Sequence, residues 1–417
     1  MAGRRCVITG LGVLVPNGYS VDEFWNNCLE GRGGIGKITY FDPEGYPSQI
    51  AGEVSDFKAE DHFDKKEIRR SDPVQLYAIH AAEMAIKDSR LDLDSVNRDR
   101  CGCIIGSGIG GIRTLEQQHK ILMEKGFSRV SPFFIPMMIT DMCAGIVALR
   151  FGLKGPNYAT VSACSSSGHA MGSAFKIIRD GEADVMVTGG AECAITPLSL
   201  AGFCSAKALS TRNDDPDRAS RPFDSGRDGF VMSEGSAIVV LEDYEHAVKR
   251  GARIYAEITG LGQSCDAYHI TAPAPDGEGA ARAMTEALKD GGIEPTQIDY
   301  INSHGTSTLL GDVTEVMAIK KIFGEHAYKL VVNSTKSMTG HMLGAAGATE
   351  AVACALSIAN GIIHPTVNLE DPEEGCDLDF AADGKRELKI EYALSNSFGF
   401  GGHNVSLLFK SLKDGTQ

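Results

Sequence analysis

The pentapeptide Ile8-Thr-Gly-Leu-Gly12, "ITGLG", closes the first apolar run of the chain and recurs unchanged at Ile258–Gly262. Each copy ends a β-type run. A looser pair accompanies it: "CGCIIGSGIGG" (101–111) and "IDYINSHGTST" (298–308) both read as strands running into Gly/Ser/Thr loops. Five identical residues also arise by chance, so the repeat alone leaves a duplicated architecture open. Around it, apolar runs such as "ADVMVTGG" and "SAIVVLED" alternate with helical stretches such as "SVDEFWNNCLEG" and "IRTLEQQHKILMEKG". That alternation predicts an α/β architecture with buried sheets.

The 417 residues suffice for one large α/β unit or for two or three average domains. Hydrophobic residues at 43% and charged residues at 23% fit a soluble globular chain. A formal net charge of −15 argues against general nucleic-acid binding, because nothing offsets phosphate repulsion. No leader pattern and no apolar run near ~18 residues is evident, so neither export nor a membrane span is expected. The 11 cysteines are odd in number and lack framework spacing, which points to reduced thiols in the cytosol. Cys101 and Cys103 share one strand face and read as core. The polar segment 210–229 reads as an ordered surface loop.

"GSGIGG" (106–111) matches G-x-G-x-x-G between a strand and a helix, the fingerprint of a dinucleotide site. That site also needs an acid ending the next strand about 20 positions on. "FSRVSPFFIPMM" follows instead, so the glycines are expected to turn tightly against something else.

In "VSACSSSGHAMG" (161–172), Cys164 sits at the start of a helix of small residues. The positive end of the helix dipole there is expected to favour thiolate and lower the pKa from about 8.5. Packing and reactivity remain equal readings of this segment alone. Two further loops shift the balance: "NSHGTSTLLGD" (302–312) holds His304, and "NSTKSMTGHMLGAAGATEAVACAL" (333–356) holds Lys336 and His341. Loops at strand ends commonly carry sites in α/β folds. Glu350, alone among Gly, Ala, Thr, Val and Cys, needs a partner, and Lys336 is the candidate. "SNSFGFGGHNVSLLF" (395–409) is a strand, a glycine turn around Phe400 and a second strand; its backbone N–H groups could form an oxyanion hole.

Together, "SACSSS", "NSHGTST", "STKSMTGHMLGAAG" and "SNSFGFGGHN" resemble the elongating β-ketoacyl-acyl-carrier-protein synthases, most closely the long-chain type-II subclass. The resemblance runs from "VITGLG" to about Phe409. It implies the thiolase fold, with duplicated halves (1–252 and 253–412) in five αβαβα layers forming one compact unit. It implies Cys164 as acyl-accepting nucleophile and His304 and His341 as the pair handling decarboxylation, with Lys336 and Glu350 bracing them. Phe400 would be a gate whose N–H joins that of Cys164, beside Phe398 and Gly399. Thr306 and Thr308 would line a pantetheine tunnel. Ile109 would shape the acyl pocket, and Phe134 would reach it across a homodimer interface. No cofactor is required; a structural monovalent cation is implied near Asn302, Ser303, Glu350, Ser395 and Asn396. The serines after Cys164 read as helix caps and close packing.

The implied activity is decarboxylative condensation of malonyl-acyl-carrier-protein with an acyl-cysteine in fatty acid elongation. The alternative is a ketosynthase of a polyketide or other specialised pathway with the same Cys-His-His chemistry. A thiolase would need a second cysteine near the C-terminus, yet the last here is Cys376. An initiating synthase would have Asn in place of His341, and an inactive chain-length partner would lack Cys164. Leu309 stands where many members carry proline. The implied partner is an acidic carrier protein, with no nucleic acid and no membrane involved. Lys66, Arg69 and Arg70 on one helical face, with Arg129 and Lys207, are the expected docking cations.

Overall fold

The computed structural model describes residues 3–412. Ten strands form one sheet: β1 (Cys6–Leu14), β2 (Cys101–Gly106), β3 (Asn157–Tyr158), β4 (Val185–Glu192), β5 (Gly235–Asp243), β6 (Ala256–Cys265), β7 (Tyr300–Asn302), β8 (Val331–Asn333), β9 (Tyr392–Gly399) and β10 (His403–Lys410). Their order is β8-β7-β9-β10-β6-β1-β5-β4-β2-β3. Read outward from the central β6–β1 pair, the two halves have the same topology and the same senses. In each, the two outer pairings are parallel and the two inner ones antiparallel. The short antiparallel pairing of Cys6 with Ile258 joins them.

The "ITGLG" repeat is the structural mark of this duplication. β1 and β6 occupy equivalent positions, and each slips register once, leaving Thr9 and Thr259 as bulge residues. Each bulge is fixed in the same way. Leu11 N donates to Asp88 Oδ2 and Leu261 N to Asp290 Oδ2, both at 2.9 Å. Those acids lie on helices α1 (Pro73–Ser89) and α6 (Glu278–Gly291). The glycines let these helices lie directly on the strands. A Cβ at Gly12 would come within 1.9 Å of Ala81 O, and one at Gly262 within 1.8 Å of Ala283 O.

Between the two sheet halves lie α5 (Ser166–Arg179) and α8 (Ala346–Asn360); α1 covers one outer face, and α6 with α7 (Gly311–Phe323) the other. Separate hydrophobic cores fill the outer layers, and a third surrounds α5 and α8. The layers therefore run αβαβα. Cys101 and Cys103 point together into one outer core, as expected. One expectation needs correction: Leu343–Asn360 is long and apolar enough to cross a membrane, with mean hydropathy 1.2 over 18 residues. It is 89% buried, because a helix enclosed by two sheets must be apolar all round.

Since the Gly12 contact is with backbone that cannot swing away, Gly12→Ala is expected to lower unfolding free energy by about 3 kcal/mol in urea melts. Gly36→Ala, with nothing within 4 Å of the new methyl, should leave it nearly unchanged.

Candidate active site

Five loops at strand ends meet above the central layer. After β3 the chain passes through Ala163, held at φ +51, and places Cys164 at the start of α5. The loop after β7 brings His304, the loop after β8 brings Lys336 and His341, the β9–β10 turn brings Phe400, and the loop after β2 is "GSGIGG". His341 Nε2 lies 2.9 Å from Cys164 Sγ. The two imidazoles stand edge to face, 5.4 Å between centres, and one ligand atom from each of Cys164, His304 and His341 falls within 4.8 Å of the others. All three residues are buried. His341 is clamped by its backbone: its N donates to Val231 O at 2.8 Å and its O accepts from Ser233 N at 3.0 Å.

The structure pairs Lys336 with Glu350 inside the protein, both almost fully enclosed. Burial pushes Glu350 up to about 7, against the pull of the ammonium. Burial holds His304 and His341 well below the ordinary histidine range, and the Lys336 charge lowers both further. They are neutral imidazoles. The expectation of a lowered thiol pKa at Cys164 is overturned: burial pushes it up to about 12. Lys336 pulls it down and the Glu192 carboxylate pushes it up, while N–H groups of Phe400 and of Cys164 itself favour the thiolate. Desolvation outweighs the helix end, so the resting pair is a neutral thiol beside a neutral imidazole.

A pocket of about 450 Å³ opens onto Cys164 and both histidines. Ile109, Lys207, Thr306, Thr308, Phe398, Gly399 and Phe400 line it. Thr306 and Thr308 bond each other at 3.0 Å, and Phe398 packs its ring 5.8 Å from His304. Phe134 is not brought to this pocket; it lies half-buried on the short helix Phe134–Met138. Lys66, Arg69, Arg70 and Arg129 are exposed and away from the lining, with Arg70 over the Phe133 ring. Among the expected docking cations, Lys207 alone reaches the mouth.

The serines after Cys164 do not cap α5. Ser165 Oγ donates to Ser397 O and His403 O, and Ser167 Oγ accepts from Ala348 N, so they pin neighbouring elements. The segment 210–229 is also not a surface loop throughout: Ser220, Arg221, Phe223, Asp224 and Arg227 are buried. Arg227 donates to Thr308 O at 3.0 Å and Leu309 O at 2.6 Å, gripping the threonine loop from behind. Asp312 accepts from Ser307 N at 3.1 Å on the same loop.

Sequence reasoning missed two buried acids. Glu315 accepts from His304 N and Gly305 N, both at 2.9 Å, and so fixes the first histidine's turn. Glu192 is what the "GSGIGG" loop turns against, accepting from Gly108 N at 2.7 Å. The signal that exposed Glu350, an acid among small apolar residues, is also present in "TGGAECA" and "GDVTEVMA". Of the implied cation ligands, Asn302 Oδ1 and Glu350 Oε2 are buried oxygens without a hydrogen-bond partner. Oxygen donors of that kind fit a hard monovalent cation.

The chain matches the family models described as Beta-ketoacyl synthase, N-terminal domain, over residues 3–247, and Beta-ketoacyl synthase, C-terminal domain, over residues 255–370. The chain belongs to the beta-ketoacyl synthase family. A curated relative from Synechocystis sp., named 3-oxoacyl-[acyl-carrier-protein] synthase 2, is 53% identical over 98% of each chain. One of the same name from Staphylococcus aureus is 54% identical over 98% of this chain and 99% of its own. Among solved structures, a type II polyketide ketosynthase complexed with its acyl-carrier protein and bound to the hexaketide superposes with TM-score 0.92. It shares 36% identity over 99% of this chain and all of its own. A beta-ketoacyl synthase from Burkholderia phymatum gives 0.91 at 36% identity, covering 98% of this chain and all of its own.

If burial controls the family's cysteine here, alkylation of Cys164 by iodoacetamide should keep accelerating beyond the ordinary thiol range, without a plateau between about pH 7 and 9. Lys336→Met removes the nearby cation and should shift the profile to still higher pH; Glu350→Gln in the same chain avoids stranding the carboxylate. A plateau near neutrality in the wild type would contradict the neutral pair.

Proposed function

We propose that this chain condenses a cysteine-bound acyl group with malonyl-acyl-carrier-protein, releasing carbon dioxide and 3-oxoacyl-acyl-carrier-protein, in fatty acid elongation. The observation that carries the reading is the convergence of Cys164, His304 and His341 at the floor of one pocket. The names of the relatives at 53% and 54% identity favour elongation.

The sulfur of Cys164 attacks the acyl thioester, its proton passing to His341 Nε2 and on to the departing carrier thiolate. The acyl oxygen that becomes negative is met by the N–H groups of Cys164 and Phe400. A malonyl thioester then enters along Thr306 and Thr308. Its carbonyl oxygen accepts hydrogen bonds from the two neutral imidazoles; for His341 this requires the tautomer with the proton on Nε2, reached by exchange of its Nδ1 proton after the thiol proton has left. As carbon dioxide leaves, the carbon–carbon electron pair moves into the enolate those donors stabilise. The enolate carbon attacks the acyl-cysteine, the tetrahedral oxyanion collapses, and the thiolate is expelled and reprotonated. Burial keeps both imidazoles neutral and the Lys336 charge adds to it, which matters because an imidazolium would be a donor with no lone pair for the thiol proton.

The partner is an acidic carrier protein, engaged by Lys207 at the mouth and by Lys66, Arg69, Arg70 and Arg129 outside it. The active species is a homodimer. The edge strand β3 with Tyr158 42% exposed, and the nearby exposed Phe127, Ile135, Leu149 and Val161, support a second copy covering this face. Phe134 of that copy would complete the acyl pocket. Eleven unpaired cysteines favour a cytoplasmic, reducing setting. A monovalent cation held by Asn302 and Glu350, near Ser303, Ser395 and Asn396, would neutralise the buried oxygens and stiffen the floor of the site.

Cys164→Ala is expected to abolish acyl transfer and condensation while leaving the folded state intact. Mass spectrometry of the wild type with acyl-carrier substrate should find one acyl adduct, on Cys164; an adduct elsewhere would overturn the mechanism. Reversing Lys66 and Arg69 to Glu should raise KM for carrier-linked substrate roughly tenfold while sparing a small thioester. Equal effects on both would remove the docking role.

A further inference from the structure

Glu192 ends β4 and is fully buried. Its donors come from two different walls of the pocket. Oε2 accepts from Gly108 N at 2.7 Å and from Gly344 N at 2.9 Å. Oε1 accepts from Ser107 Oγ at 3.0 Å and from Ile109 N at 3.2 Å. Ser107 Oγ in turn accepts from Gly110 N at 3.1 Å. A single carboxylate therefore ties the loop that presents Ile109 to the turn that follows His341. Ile109, His341 and Leu343 all line the pocket.

The two loops touch so closely that side chains are excluded between them. A Cβ at Gly344 would lie 2.2 Å from Gly108 N and 2.7 Å from Glu192 Oε2, and one at Gly108 would lie 2.9 Å from Oε2. All four donors are neutral N–H or O–H groups, which an acceptor-only carboxylate can satisfy at once. An amide could not, because its NH₂ would face two of those donors.

We infer that Glu192 is a positioning residue that locks the acyl-chain wall at Ile109 to the turn after His341, so that a chain pressing on Ile109 is felt at the second histidine. The inference rests on the condensing role proposed above. It gives the "GSGIGG" loop a purpose that a packing role lacks: the loop reports pocket occupancy to the residues that meet the malonyl group.

The test compares wild type with Glu192→Gln in condensation with short-chain and long-chain acyl-carrier substrates. The ratio of long-chain to short-chain kcat should change roughly tenfold, with KM for malonyl-acyl-carrier-protein moving less than kcat. Removing the carboxylate should also shift the alkylation profile of Cys164 to lower pH, which a purely structural role would not do. An unchanged chain-length ratio overturns the inference, whether the rate is full or uniformly reduced. Should Glu192→Gln fail to fold, Ser107→Ala removes one donor and keeps the carboxylate. A smaller shift of the same ratio is then expected, and no shift again overturns it. Failure of the condensing role would look different: a wild type without an acyl adduct on Cys164.

Discussion

Two helices of small residues share the space between two sheet halves, and the site exists because they approach as closely as they do. A Cβ at Gly168 would lie 2.6 Å from Val405, one at Gly172 2.6 Å from Leu261, and one at Gly347 2.6 Å from Ser397 Oγ and 3.2 Å from Gly168 N. Ser167 of α5 bonds Ala348 N of α8 across the contact. With larger residues the helices would stand apart, and the loops entering them would separate too. Those loops carry Cys164 and His341, whose 2.9 Å contact depends on that fit. Packing of the middle layer thus fixes the chemistry above it.

Burying the chemistry so deeply has an electrostatic consequence. An enclosed thiol loses more from desolvation than it gains from a helix end, and both histidines lose their tendency to protonate. The site keeps one strong cation, Lys336, and matches it with Glu350. Removing either partner alone would strand a buried charge at a cost of about 3–5 kcal/mol. Burial, with the Lys336 charge adding to it, makes neutral imidazoles the stable form. Neutral imidazoles can donate to a developing enolate oxygen and also take a thiol proton, whereas an imidazolium can only donate.

The α/β alternation, the loops holding Cys164, His304 and His341, and the Lys336–Glu350 pair are legible in local pattern: period, a loop after a strand, or an acid among small residues. The five layers and the roles of the triad come only through the family resemblance. "ITGLG" was visible as a repeat but not as a cause. Its meaning lies in where Ala81 and Ala283 sit, more than 20 residues further along each copy. The "GSGIGG" loop lacks the acid that a dinucleotide site needs at the end of the next strand, but its packing partner Glu192 lies about 80 positions away, and nothing local links them. The thiol pKa departs from the sequence expectation for a related reason: the helix dipole is readable from sequence, while burial to 8% exposure is not. Segment 210–229 reads as surface because it is the most polar and turn-rich stretch of the chain. Its Arg227 in fact turns inward to carbonyls of the threonine loop.

The duplication also divides the labour. Ile109 and Cys164, which would hold the growing chain, come from the half before β6. His304, Thr306, Thr308 and His341, which would receive the malonyl group, come from the half beginning with β6, as do Lys336 and the glycine turn at Phe400. β2 and β7 occupy equivalent places in their halves, as do β3 and β8, so the two substrates would meet residues from matching strand ends. Because each half offers the same set of loops, one loop carries the nucleophile while its counterpart carries an enolate-stabilising histidine. Among the bonds that cross between the halves, His341 to Cys164 and Gly344 to Glu192 link the specialised loops directly.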